Sequence, residues 1–166
     1  MFIDQGLRIA ALEESDLEFC KELRNDPDTW RYLTDISFLT SSGQRSWYQG
    51  LQGDKSRKYF IVWEQEERVG LLRCDEIDHL NRSIRIGADV VKEHRGKGIG
   101  TRIYKLFLGY CFNYLNMHRV WLEVLSTNEI AIKLYKNVGF ELEGIKRDAI
   151  FRDGKYIDYI IMSKLE

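Results

Sequence analysis

Apolar and polar residues alternate along the chain in blocks, and each block predicts an element. Leu7-Arg8-Ile9-Ala10-Ala11-Leu12 reads as a short first strand. Ser15 stands as a helix N-cap with Glu18 three residues on, the reciprocal pattern that satisfies the first backbone N–H groups. This helix is expected to run towards Leu23. It should stop around Asn25-Asp26-Pro27-Asp28, because proline pushes its predecessor into extended backbone. Residues 30–39 are aromatic and irregular, a packed lid over the core or a wall of a substrate pocket. A second helix is expected over residues 42–51, with Trp47 and Leu51 on one side. Residues 58–63 and 68–74 predict a hairpin across Glu64-Gln65-Glu66-Glu67, and Asp78-His79-Leu80-Asn81 turns into the next strand.

The stretch that follows carries the strongest pattern. Ile84-Arg85-Ile86-Gly87-Ala88-Asp89-Val90 alternates with period two, the mark of a strand with one buried face. Ile99, Ile103, Leu106, Phe107, Tyr110 and Tyr114 then recur at helical spacing and form one broad apolar stripe. Gly96, Gly98 and Gly100 therefore lie at a strand-to-helix turn. There the backbone can turn tightly and admit a ligand to its N–H groups. A helix start leaves such groups unpaired and carries partial positive charge, which suits a phosphate or pyrophosphate. Arg95, Lys97 and Arg102 add mobile charge. The spacing is neither the dinucleotide fingerprint nor a P-loop.

Beyond it, residues 120–125 predict a strand. Asn128 caps a short helix with Ile130, Leu134 and Val138 on its apolar side, and Gly139 takes the left-handed position that ends it. Residues 140–150 and 156–163 form a last hairpin across Asp153-Gly154, with Leu142-Glu143-Gly144 as a bulge or kink. The order is strand, two helices, three strands, helix, strand, helix, two strands: a mixed sheet covered by helices in one domain, residues 1–166.

Composition changes this picture little. The 166 residues are 44% hydrophobic and 31% charged, with a net charge of −1. No global field recruits nucleic acid or an anionic membrane, so any positive site is local. No apolar run is long enough to span a bilayer, and the start has no basic segment followed by an apolar one, so no signal peptide is expected. Cys20, Cys74 and Cys111 are odd in number and widely spaced, which argues against a disulfide framework and favours the cytoplasm. His79, His94 and His118 have no metal-ligand spacing, and no metal is expected.

Two motifs now combine. Arg95-x-x-Gly98-x-Gly100 resembles the acetyl-CoA pyrophosphate loop of the GNAT superfamily of N-acetyltransferases. Leu-Glu-Val at residues 122–124, Asn128-x-x-Ala131-x-x-Leu134-Tyr135 and Gly139-Phe140 resemble its second signature. The resemblance implies the GNAT fold: an α/β (α+β) mixed, mostly antiparallel central sheet with a splayed strand pair, flanked by helices. It also implies acetyl-CoA as co-substrate, with Arg95, Gly96, Lys97, Gly98, Gly100 and Thr101 around its phosphates. Asn128 and the backbone of Ala88 and Val90 would line its pantetheine arm. Glu123 is the implied general base, with Asp89 and Glu76 as fallbacks, and Tyr135 is the implied acid for the leaving thiolate. Within the superfamily the chain resembles the branch of ribosomal-protein N-terminal acetyltransferases. Trp47-Tyr48 ahead of residues 59–62, and the tail at residues 151–156, also resemble amino-sugar-nucleotide N-acetyltransferases. The expected acceptor is a small amine on a nucleotide-linked sugar. A protein N-terminus or a polyamine is the alternative, the latter drawing on Asp75-Glu76-Ile77-Asp78, and a non-catalytic acyl-CoA-binding module is a further one. The expected assembly is a monomer or homodimer.

Overall fold

The structure is a computed structural model describing residues 2–4, 6–36 and 38–166. Eight strands form one sheet: β1 (Phe2–Asp4), β2 (Leu7–Ala11), β3 (Lys58–Glu64), β4 (Glu67–Asp78), β5 (Ser83–Val90), β6 (Arg119–Leu125), β7 (Glu141–Arg152) and β8 (Lys155–Leu165). Their spatial order is β1-β2-β3-β4-β5-β6-β8-β7. Every neighbouring pair is antiparallel except β5 and β6, which are parallel because a helix carries the chain back between them. Five helices flank the sheet: α1 (Leu17–Asn25), α2 (Pro27–Trp30), α3 (Ser41–Leu51), α4 (Ile99–Asn113) and α5 (Glu129–Asn137). This is the mixed, mostly antiparallel architecture expected, with β1 and α2 added to the expected elements.

The sheet buries both faces. One is covered by α4 and α5 and gathers Val62, Leu72, Ile84, Ile103, Phe107, Val120 and Leu122. The other lies under α1 and α3 and gathers Leu12, Leu17, Cys20, Leu23, Ile61 and Leu71. The α4 stripe is rotated from the expected one. Tyr104, Leu108 and Cys111 are buried with Phe107, whereas Tyr114 ends the helix and is 79% exposed. On α5, Ile130 is 84% exposed, whereas Leu134 and Val138 pack inward as expected, joined by Ala131, Ile132 and Tyr135.

Two helix starts also differ. Ser15 is exposed and caps nothing, because Asp16 is buried and accepts from the Arg68 Nε at 2.8 Å and from the Glu13 N–H at 3.0 Å. A 3-10 turn at Glu14–Asp16 accommodates that pair, and α1 begins after it. Pro27 ends nothing further: Asp26 is extended, as a residue before proline should be, and Pro27 takes the first position of α2. Farther on, the break anticipated at residues 142–144 is present as a register shift between Leu142 and Gly144, and a second follows between Lys146 and Ile150.

Candidate active site

β5 and β6 pair only at Ser83 with Arg119, Ile84 with Val120 and Arg85 with Trp121. Beyond that they diverge. β6 continues along β8 as far as Leu125, and β5 continues along β4 as far as Val90. The edge of β5 from residue 86 to residue 90 therefore faces a cleft rather than a strand. The cleft has a volume of about 110 Å³ and is lined by Gly87, Ala88, Asp89, Glu123, Asn128 and Tyr135, among others. An extended, amide-bearing ligand can add to such an edge by backbone hydrogen bonds.

At the upper end of β5 the chain makes a 3-10 turn (Lys92–His94) and enters α4. Gly96 and Gly98 have φ of 74° and 78°, a left-handed conformation that costs glycine little. Gly98 is the N-cap of α4, and no side chain caps it, so the first N–H groups of a fifteen-residue helix point outward for an anion. Gly100 has another role. A Cβ there would lie 2.7 Å from Leu134 Cδ1, so its missing side chain lets α4 pack on α5. Lys97 is exposed beside the turn, and Thr101 is half-buried in the first turn of α4. Arg95 is not poised as a mobile cation. Its Nε donates to the Val90 carbonyl at 2.8 Å, Nη1 to the Asp28 carbonyl at 2.8 Å and Nη2 to Thr29 Oγ1 at 2.7 Å. It fastens the turn to α2, and it occupies the Val90 carbonyl that was expected to face the ligand. Arg102 donates to Glu64 at 2.9 Å.

On the α1/α3 face the register places charged residues in rows. Asp75 pairs with Arg85, which pairs with Trp121; Arg73 pairs with Gly87; Glu123 lies two residues beyond Trp121. Arg73 reaches across Gly87, where a Cβ would stand 3.0 Å from its guanidinium, and donates to Asp89 at 3.2 Å. Arg85 sits among three carboxylates: Glu123 and Glu76 at 3.2 Å and Asp75 at 3.7 Å. Asp75 also accepts from the Tyr59 hydroxyl at 2.9 Å. The Glu123 side chain is only 7% exposed, and both its oxygens are engaged, Oε2 by Arg85 and Oε1 by the Lys146 ammonium. The two fallback carboxylates differ: Asp89 lies in the cleft on Arg73, and Glu76 is exposed and outside the cleft lining, held by Arg85.

Tyr135 enters the cleft from α5. The Tyr104 hydroxyl donates to its hydroxyl at 3.3 Å, and their rings meet edge to face with centroids 5.1 Å apart. Burial raises the pKa of Tyr135 and pushes Tyr104 well above its ordinary value. Both are therefore neutral donors at neutral pH. Asn128 caps α5, its side-chain oxygen accepting from the Ala131 N–H at 3.2 Å, and it lines the cleft.

The mouth is covered by Tyr32, Leu33 and Thr34. Arg152, from the β7–β8 turn, donates to the Leu33 and Thr34 carbonyls. The irregular stretch thus serves as both lid and pocket wall. Arg85 was visible in the sequence as the polar alternate of Ile84 and Ile86. Tyr104, Lys146 and Arg152 were not, since only sheet order and helix packing bring them against the cleft residues Tyr135, Glu123, Leu33 and Thr34.

A splayed parallel pair, an uncapped helix start beside it and a half-buried tyrosine at the fork are the arrangement of an acyl-CoA-dependent acyltransferase. Residues 7–141 match the acetyltransferase (GNAT) domain model, and the chain belongs to that family. It is an N-acetyltransferase that uses acetyl-CoA. It is 31% identical over 157 residues to the spermidine N(1)-acetyltransferase of Escherichia coli K12, covering 95% of this chain and 84% of the relative. Its fold superposes with a TM-score of 0.93 on the spermidine N-acetyltransferase of Vibrio cholerae in complex with CoA and spermine, at 29% identity over 98% of this chain and 96% of the other. A dodecameric structure of the same Vibrio enzyme gives 0.86, again at 29% identity, over 98% and 95%. By their names these relatives act on polyamines, not on amino sugars or ribosomal proteins, and so they favour the alternative acceptor over the expected one.

Proposed function

We propose that this enzyme acetylates a primary amine of a polyamine such as spermidine. The observation that carries this reading is the pair of carboxylates Asp75 and Glu123 lining the cleft beside the unpaired edge of β5, with Glu76 joined to them through Arg85. A polycation needs such a group, and a neutral or anionic acceptor does not. Likeness to spermidine acetyltransferases over almost the whole chain supports the same choice.

In this reading acetyl-CoA brings an activated acyl group on a thioester. The N–H groups of Ile99, Gly100 and Thr101, with Lys97, hold its phosphates. The turn at Gly96 and Gly98 sets their direction, and Arg95 keeps that turn in place. Ala88 and Asn128 line the arm. Glu123 binds the acceptor ammonium and receives its proton, which exposes the lone pair for attack. Tyr135, neutral and half-buried, donates its hydroxyl proton to the departing sulfur, and Tyr104 orients that hydroxyl. The lid at residues 32–34 limits water. We place the enzyme in the cytoplasm, in keeping with three buried free cysteines.

Thiol release from acetyl-CoA should be followed with spermidine, spermine, UDP- and dTDP-linked 4-amino sugars, and alanyl and seryl peptides. Release with the polyamines, lost in Tyr135→Phe, supports the reading. Release with only an amino sugar or a peptide would sink it.

A further inference from the structure

The proposed base is not bare. Both oxygens of the Glu123 carboxylate have cationic partners, and for an acceptor amine to reach it one partner must leave. Arg85 is the poorer candidate. It is partly buried, shares its guanidinium among Glu123, Glu76 and Asp75, and lies 5.7 Å from the centre of the Trp121 ring. Lys146 is the better one. It stands on β7, the outermost strand, its side chain is 53% exposed, and Glu123 is its ion-pair partner among the described residues. The sheet opens a path for it. Glu123 pairs with Ile161, and Ile161 with Gly144, so the row beyond Glu123 ends in a residue without a side chain. Lys146, opposite Tyr159, extends across that gap.

The terminal group of Lys146 is a primary ammonium on a flexible alkyl stem, the same group that a polyamine presents. We propose that Lys146 is a resident ammonium in the acceptor subsite, seated on Glu123 where the substrate nitrogen goes, and that acceptor binding displaces it. This rests on Glu123 being the acceptor's carboxylate. It adds a condition on the acceptor. Without Lys146, Glu123 would keep only Arg85, which it shares with Glu76 and Asp75, and a buried carboxylate left short of counter-charge is unfavourable, so the exchange is one cation for another. The subsite therefore rejects neutral molecules and admits amines as ammonium ions. It also keeps Glu123 paired between turnovers.

The test reads the lysine itself. Native protein loaded with CoA is treated briefly with an amine-reactive propionyl ester, and modification of Lys146 is measured by peptide mass spectrometry against the exposed Lys155 of the same hairpin. Lys146 should be protected. Its labelling should rise about two- to fivefold in Glu123→Gln, as suits a weak, part-exposed ion pair, and by a similar factor when spermidine is added to the native protein. Labelling unchanged by Glu123→Gln overturns the proposal. So does continued protection when calorimetry shows spermidine bound. If calorimetry shows no spermidine binding, the polyamine reading falls, and the Glu123→Gln comparison still decides the pairing. A second arm uses Lys146→Gln, which should tighten spermidine binding about two- to fivefold and do nothing in a Glu123→Gln background. A gain that persists without Glu123 would mean a general charge effect and would also overturn it.

Discussion

Tyr135 is where burial and chemistry meet. It is half-buried against the core, and the desolvation of its hydroxyl raises its pKa, so it keeps a proton that a nascent thiolate can take. Tyr135→Phe should lower kcat by about 10²-fold or more, the usual contribution of a positioned proton donor, while CoA affinity measured by calorimetry stays close to native. Because the pKa is raised, the tyrosine form stays active above the ordinary value of about 10. The alkaline limb of kcat against pH should therefore lie beyond that value, and a limb below it would remove Tyr135 as the donor. Glu123 and Tyr135 were both legible in the sequence, from strand alternation and from the family's spacing. The occupation of Glu123 by Arg85 and Lys146 was not, because those residues come from separate strands.

At the scale of elements, the close approach of β4 to β5 sets the wall of the cleft. Gly70 faces the backbone of Asp89: a Cβ there would lie 2.7 Å from the Asp89 carbonyl oxygen. Backbone cannot yield as a side-chain tip does, so Gly70→Ala should destabilise the protein by about 1–3 kcal/mol, as overpacking does. Urea unfolding measures this, and CoA affinity should fall with it as β5 shifts. Phe107, on α4, is fully buried against Phe60 and Tyr110. Phe107→Ala should cost about 3–5 kcal/mol, and a loss near zero in the same experiment would refute its place at the centre of that face. The period of α4 was readable from sequence, but its exact facing was not. Tyr104, Leu108 and Cys111 share the helix with the predicted stripe, and packing against the sheet decides which flank is buried.

For the whole molecule, buried thiols predict an alkaline limit. Burial pushes Cys20 and Cys111 from an ordinary 9.0 up to about 12. Below pH 9 both folded and unfolded chains hold these protons and stability is unaffected. Between 9 and 12 the unfolded chain releases protons that the folded chain retains, so unfolding is favoured as pH rises. Tm followed under reducing conditions should fall progressively above pH 9, and Cys111→Ala should flatten that fall. The outer strand β7 exposes Leu142 (59%) and Ile145 (54%), and the hairpin tip adds Phe151 and Tyr156. A long edge with such residues pairs readily with another chain. Light scattering should give a mass above that of one chain, reduced by Leu142→Lys with Ile145→Lys. A strict monomer at all concentrations would contradict this.

By itself the sequence determined the alternation of elements, the glycine turn before α4, the cap and end of α5, the bulge in β7 and the family. These depend on neighbours a few residues apart, whose spacing is fixed by the geometry of helix and strand. Tertiary structure alone decided where β5 and β6 part, that Arg95 fastens the turn, that Tyr104 lies behind Tyr135, and that Arg85 and Lys146 share Glu123. Each of these needs residues distant in the chain to meet, and their meeting is set by strand order and register, which no local pattern encodes.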